Sequence, residues 1–423
     1  MISFFRAYDP IRIIAIFIVL LFIRIPFLFL ETNIPNLQID LMNVGARLAN
    51  GFMMYRDTWD TLEPFAAGFY WLVNLCFGKS FLVTQLLSIL IIYFQSIYIS
   101  IIFNLDNVYD DRTMVPSYIY ILLASSFVDF FYVSPLMLGI TFLLPVFHWM
   151  FINLKITTKE ELFYLSGIFI GIASLFQFYL SVFIIWLLIY LMVFIKPNFR
   201  VYFLVIIGFF FPYLIVYLYF FMAGIENPLE RYLQIFNTGS VKESMMTLRS
   251  LIIIGLPSLT IFLIGVFYTL SNTRYINFQY NVIKIMMLYF IITIAILFYL
   301  PNPQPSSWLI TIPAIAYFGG NFFHYIKYFW FSEFPMLMIS LLLIMICYGS
   351  IHPSINKYLR INTSYLLAKK EERYKYLEHK KILLLGANRA PYIYADPCTP
   401  YINWKFSKSL FQSKRDYEKI SEI

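Results

Sequence analysis

Between two apolar runs, residues 31 to 61 read ETNIPNLQIDLMNVGARLANGFMMYRDTWDT, a polar and aromatic segment too long for a simple connector. Loops of this length in compact proteins usually carry function. Its carboxylates, Asp40, Asp57, Asp60 and just beyond them Glu63, can accept protons or bind cations. Its guanidinium groups, Arg47 and Arg56, can bind anions or pair with those acids on the surface for about 0 to 1 kcal/mol. Asp40 to Asn50 has Leu41, Val44, Leu48 and Ala49 at helical spacing, which predicts a short amphipathic helix closed by Gly51. Tyr55 to Glu63 reads as irregular, and Pro64 suits the first turn of the next helix.

Other groups could do chemistry elsewhere. Arg24, Asp129 and Glu333 fall in or near apolar runs, where a charge is costly and marks either a function or a span end. Arg24, in the outer half of the first run, could reach a phosphate near the surface. Asp106, Asp110 and Asp111 offer closely spaced oxygen ligands that suit Mg²⁺ or Mn²⁺, or form a solvated turn. His148 and Trp149 could border a pocket or belong to an interfacial aromatic belt. Leu300 to Ile310, LPNPQPSSWLI, is a proline-rich entry to a short span or a rigid connector. The three cysteines have no metal-ligand spacing and no disulfide framework.

The elements that position these groups are set by composition. The 423 residues are 61% hydrophobic, 21% aromatic and 13% charged, far from the usage of a water-soluble domain. Continuous apolar runs exclude a transmembrane β-barrel, whose strands alternate. The chain reads as an all-α polytopic membrane protein of about 11 transmembrane helices, within a range of 10 to 12. Spans fall near 11–30, 62–77, 81–103, 117–132, 135–154, 162–195, 201–222, 250–270, 282–300, 307–323 and 331–349. The first is too long and too charged for a cleavable signal peptide and reads as an anchor. The 34 residues of 162–195 form one long tilted helix or a tight pair.

With the N-terminus in the cytoplasm, Arg6, Arg12, Lys79, Lys196, Arg200, Arg274 and Lys327 fall inside. Glu31, Asp40, Asp57, Asp60, Glu63, Asp106, Asp110 and Asp111 then fall outside. Residues 1–349 form the transmembrane domain, with 17 basic and 16 acidic groups; residues 350–423 hold 14 and 7, a basic soluble tail at +7. Eleven spans put this tail outside, its charge argues for the inside, and dividing 162–195 would reverse the count. Ile355 to His379 reads as an amphipathic surface helix and Lys381 to Gly386 as a strand, so the tail combines a helix with a short α/β element. No nucleotide loop follows, and nothing in the tail indicates nucleic acid as a partner.

The order Asp40, short helix, Asn50-Gly51, Tyr55-x-Asp57, Glu63-Pro64 opening a helix, then Phe77-Gly78 resembles the first external loop of the GT-C superfamily. These are integral-membrane glycosyltransferases that use polyprenyl-phosphate-linked sugars. More weakly, Gly167 to Trp186 resembles their glycine-containing middle spans, and Lys380 to Trp404 the start of their soluble domain. The resemblance covers about a quarter of the chain. It implies Asp40 as catalytic base and Asp57 as a second acid that organises the site. Many members carry a second acid directly beside the first, where this chain has Leu41.

Such a transfer needs a base at the acceptor hydroxyl and cations at the leaving phosphate. Asp40 with Asp57 meets the first need. Arg56 and Lys242 lead for the second, with Arg24, Arg249, Tyr55 and Glu63 completing the expected substrate site; a divalent cation, Mg²⁺ or Mn²⁺, is the one cofactor the acids suggest. The partners would be a polyprenyl-phosphate-linked sugar, membrane lipids and an unspecified acceptor, at the outer face of a bacterial-type inner membrane. The alternatives are a non-catalytic multi-pass subunit of a cell-envelope assembly or secretion complex, and a lipid or small-solute transporter. The latter predicts internal repeats, of which the sequence shows none that is clear.

Overall fold

The computed structural model describes residues 2–29, 33–155, 159–225, 248–271, 275–300, 304–326, 328–349, 366–378, 380–384 and 388–400. In chain order its helices are α1 (Pro10–Phe29), α2 (Asn36–Ala49), α3 (Pro64–Phe77), α4 (Phe81–Leu105), α5 (Val115–Leu123), α6 (Pro135–Lys155), α7 (Glu160–Phe176), α8 (Phe183–Tyr190), α9 (Phe199–Met222), α10 (Leu248–Ser271), α11 (Asn277–Tyr299), α12 (Ile312–Tyr325) and α13 (Phe329–Gly349). Four two-residue strands are β1 (Ile34–Pro35), β2 (Leu367–Ala368), β3 (Lys381–Ile382) and β4 (Asp396–Pro397). Eight of the described helical stretches are long and apolar enough to cross a membrane: Pro10–Leu28, Phe81–Leu105, Pro135–Lys155, Phe178–Ile195, Phe199–Met222, Ile252–Ser271, Asn277–Tyr299 and Ser332–Gly349. Several carry exposed apolar stripes, such as Ile11, Ile14, Ile18, Phe22 and Ile25 on α1, that water would not tolerate. The protein is a helical membrane protein.

The chain divides into two compact units. One comprises residues 1–30, 85–212 and 246–362; the other comprises 31–84, 213–245 and 363–423.

The first unit is the helix bundle. At one end the N-terminal residues are captured: the amides of Ile2 and Ser3 donate to Glu333, and the Met114 amide donates to the Phe5 carbonyl at 2.9 Å. At the other end Arg24 is buried, donating to Ser125, Ser88 and the carbonyls of Ala124 and Phe130, with Phe131 beneath its guanidinium. Glycines let α7 and α9 approach closely: a Cβ at Gly171 would meet the Phe209 carbonyl oxygen at 2.4 Å, and one at Gly208 the Tyr164 oxygen at 2.5 Å.

One open alternative is resolved here, in favour of a pair, and two expectations change. The stretch 162–195 is divided, because Gln177 leaves the helix with φ −154° and ψ 110°; α7 ends at Phe176 and a second helical run covers 178–195. No proline or glycine marks that break. The acids Asp106, Asp110 and Asp111, and with them His148, lie at the N-terminal end of the bundle and not opposite it. Asp106 pairs with His148 at 2.8 Å and Lys155, and Asp110 accepts from Gln279 and Tyr325. The helix at 62–77 is α3, only 14 residues long. That is about 21 Å, short of a bilayer core.

The second unit contains the first loop and the tail. Here α2 and α3 pack as a pair, with Gly45 against the Tyr70 backbone, where a Cβ would meet the carbonyl oxygen at 2.4 Å. The tail joins them: β1 pairs antiparallel with β2, Ile34 opposite Ala368, and the Asn36 amide donates to the Leu366 carbonyl at 2.8 Å. This pairing corrects the expected helix at 355–379, whose described part is extended at β2 and a 3-10 turn at Glu372–Leu377; residues 355–365 lie outside the described residues. Strand pairing satisfies the backbone there and overrides helix propensity. Of the expected strand at 381–386, only Lys381–Ile382 is a strand, β3, paired in parallel with β4; Leu383 and Leu384 are not, and 385–386 lie outside the described residues.

Candidate functional site

Helix α2 begins four residues earlier than its sequence pattern suggests, at Asn36 behind Pro35. Asn36, Asp40, Asn43 and Arg47 recur at spacings of three and four, so they share one face. On that face Asn36, Asn43 and Arg47 are buried and Asp40 half-buried, although a helix of this kind ordinarily turns such residues to water. Tail elements account for it: the Ala390–Ile393 turn and β4 both contact α2.

The tail is held by its backbone. Arg47 donates to the carbonyls of Pro397 at 3.3 Å and Thr399 at 2.7 Å, and also to the Asp57 carbonyl. The Trp59 amide donates to the Pro400 carbonyl at 2.8 Å. Lys79 donates to the Ala395 carbonyl at 2.8 Å and lies 3.5 Å from Asp396. Burial lowers the Lys79 ammonium to about 8 despite Asp396. Loop cations thus grip alternate carbonyls of 395–399. Lys79 therefore groups with the first loop, not with the cytoplasmic connections to which the sequence reading assigned it.

Above this strip, Asp40 and Arg389 form an ion pair at 2.9 Å, with side chains 17% and 10% exposed. Arg389 is fixed by its backbone, since Asn388 Oδ1 accepts the Ala390 amide at 3.0 Å and starts the following turn. Asp60 lies within electrostatic reach of Arg389. Burial pushes the Asp60 carboxyl up to about 6, against the pull of the Leu62 amide, Arg389 and the Thr61 amide. Asp40 and Asp60 thus lie around one guanidinium.

The other expected residues divide between this cluster and elsewhere. Asp57 accepts the Met53 amide at 2.9 Å and is clasped by Arg56, whose side chain is 52% exposed; that bond, with the Met53 amide, holds Asp57 below the usual carboxylate range. Asp57 therefore shapes the loop, and Arg56 serves Asp57. Tyr55 is buried at φ +65°, its hydroxyl donating to the Leu62 carbonyl at 2.7 Å and its ring against Phe220. Glu63 is buried at the start of α3, where its carbonyl accepts the Ala67 amide. Arg24 belongs to the bundle, and its bonds there leave no open face for the surface phosphate that the sequence reading allowed. Arg249 lies exposed at the start of α10, and Lys242 lies outside the described residues. Among the described residues, no group of three His, Cys, Asp or Glu side chains comes together to hold a metal.

Sequence reasoning passed over Arg389 and gave Asp60 no role. The Asn388-Arg389-Ala390-Pro391 run is a turn signal, and only the buried polar face of α2 could have asked for a cation opposite it.

Comparison with protein-family models returns no match, and a search of curated protein sequences finds no match. What the site can do must come from its own residues.

Proposed function

We propose that the protein is a multi-pass membrane glycosyltransferase that moves a sugar from a polyprenyl-phosphate donor to an acceptor hydroxyl at the membrane face carrying the first loop. The observation that supports this best is Asp40: a partly accessible carboxylate on a short helix, paired at 2.9 Å with Arg389. A carboxylate positioned on a short helix of the loop is the kind of group a general base requires. Asp57 acts on the loop's shape and not on the acceptor. No step is assigned to a divalent cation.

The finer topology follows the same reading. Eleven crossings result if the eight long helices are joined by 115–131, 160–176 and 305–325. The successive ends of the bundle alternate accordingly: Phe5 meets Met114, Lys155 meets Asp106, and Tyr325 meets Asp110 at the N-terminal end. The first loop and the β2 segment are paired with each other. Short connections at the N-terminal end carry Arg6, Arg112, Lys159, Lys196 and Arg200, which favours the cytoplasm for that end of an inner membrane.

The test is sugar release from a polyprenyl-phosphate donor by the full chain reconstituted in vesicles. Wild type should turn over. Absence of turnover with every donor and acceptor class tried, from protein that binds the donor, would favour the reading as a non-catalytic envelope subunit, in which the Asp40–Arg389 pair only fastens the tail.

A further inference from the structure

The tail segment 369–381 carries Lys369, Lys370, Arg373, Lys375, Lys380 and Lys381, all exposed, against the acids Glu371, Glu372 and Glu378. Arg373 pairs with Glu371, whereas no ion pair involves the five lysines among the described residues. Tyr376 stands among them 68% exposed, and Leu383 just beyond them is 46% exposed. Lys380 lies over the Tyr376 ring at 5.6 Å, so an ammonium and an aromatic ring share one patch of surface. Both ends of the segment are pinned beside long apolar helices. Before it, β2 pairs with β1, which begins at Ile34, shortly after α1 ends at Phe29. After it, β3 sets Lys381 opposite Asp396, and the Asp396 amide donates to the Lys380 carbonyl at 3.0 Å. Paired strands lie about 4.8 Å apart. Asp396 in turn is 3.5 Å from Lys79, just ahead of α4, which is long and apolar enough to cross the membrane from Phe81.

We infer that residues 369–381 dock on the headgroup layer of the membrane and bind acidic phospholipids there. The attraction of a lysine to an acidic bilayer falls off within about a Debye length, about 8–10 Å at ordinary salt. Pinning matters for that reason, because it holds the lysines near the level at which α1 leaves and α4 enters the apolar layer. A tyrosine at that level keeps its ring among the headgroups and its hydroxyl in water. Lysine stems can lie along the same apolar boundary while their ammonium groups reach phosphates. A soluble polyanion would satisfy the charges equally well, but it gives no use to exposed Tyr376 and Leu383 or to the two pinned ends. The first loop's cations are committed elsewhere, Arg47 and Lys79 to tail carbonyls and Arg56 to Asp57. Through β1 and Lys79 the docked segment steadies that loop as well. Neither the pinning nor the charge depends on which reaction the protein catalyses.

The experiment places the full chain in nanodiscs of phosphatidylcholine, with or without phosphatidylglycerol. A fluorophore on Glu378→Cys reports its distance from a quencher carried on lipid headgroups; Cys76→Ser and Cys398→Ser remove the other exposed thiols, and Cys347 is buried. Quenching should be strong with phosphatidylglycerol at low salt, weaken as salt is added, and be largely lost in phosphatidylcholine alone. Lys369→Gln, Lys370→Gln, Lys380→Gln and Lys381→Gln combined should abolish the dependence on phosphatidylglycerol at an unchanged melting temperature. Equal quenching in the two lipids, or quenching in the fourfold variant that still follows phosphatidylglycerol, overturns the assignment. Should the fourfold variant fail to fold, the response of the unaltered lysines to lipid and salt decides alone. If soluble polyphosphate shields the fluorophore from iodide and phosphatidylglycerol does not, the patch belongs to a soluble polyanion and the lipid assignment falls.

Discussion

Arg47 of the first loop donates to the carbonyl of Thr399 at 2.7 Å, tying residues from opposite ends of the chain. Because the same guanidinium also serves Pro397 and Asp57, its loss leaves several buried carbonyls unmatched, each costing about 1–3 kcal/mol. Arg47→Ala should therefore release the tail, seen as faster cleavage within 388–400 by added protease while the bundle stays intact. Arg47→Lys should behave similarly, because one ammonium cannot reproduce the fork. Unchanged cleavage would show that β1, β2 and Lys79 hold the tail without it.

Two glycines of the α2–α3 pair should respond in opposite ways. Gly45 faces the Tyr70 carbonyl, so Gly45→Ala overpacks the contact and should cost about 1–3 kcal/mol. Gly68 has open space around a built Cβ, so Gly68→Ala should be neutral or stabilise by about 0.5–1 kcal/mol through helix propensity. Thermal unfolding of both variants checks the pair.

Asp60 predicts a pH dependence. Its carboxyl sits at about 6 in the folded protein, above the unfolded value of about 3.9. A raised acid stabilises the fold when protonated, so its contribution is present below about pH 4 and is lost as the pH rises through 6. Arg389 faces it and limits the shift, and Asp40 shares that guanidinium. The melting temperature of wild type should fall, relative to Asp60→Asn, between pH 4 and 6. Parallel curves for the two proteins would contradict the buried carboxyl.

Topology can be read by labelling. Cys398 is exposed and lies in the tail strip held by the first loop. A membrane-impermeant maleimide should reach it from outside intact cells when Cys76 is replaced. Lys159→Cys, between α6 and α7, should label only after permeabilisation. Labelling of both from one side would break the eleven-crossing reading.

The sequence carried the membrane class and most long helices, since those depend on continuous apolar runs that need no partner to be recognised. It located the first loop as well, through Asp40, Gly51 and Pro64. It could not locate the rest, for physical reasons that differ residue by residue. The break at Gln177 has no local breaker. Helix α3 is as apolar as a span, and only its length and its seat against Gly45 distinguish it. Arg389 meets Asp40 through tertiary packing, which no local pattern encodes, and the tail's extended backbone at β2 depends on β1.

The central claim is that Asp40 is a base and not a fastener. The most direct measurement is the single-turnover transfer rate of Asp40→Asn against wild type, on preparations shown to have the same melting temperature and donor bound to the same extent. Loss of a positioned base predicts a rate about 10²–10⁴-fold lower with donor binding equal or tighter. An unchanged rate would contradict the claim and leave Asp40 as the partner that anchors Arg389.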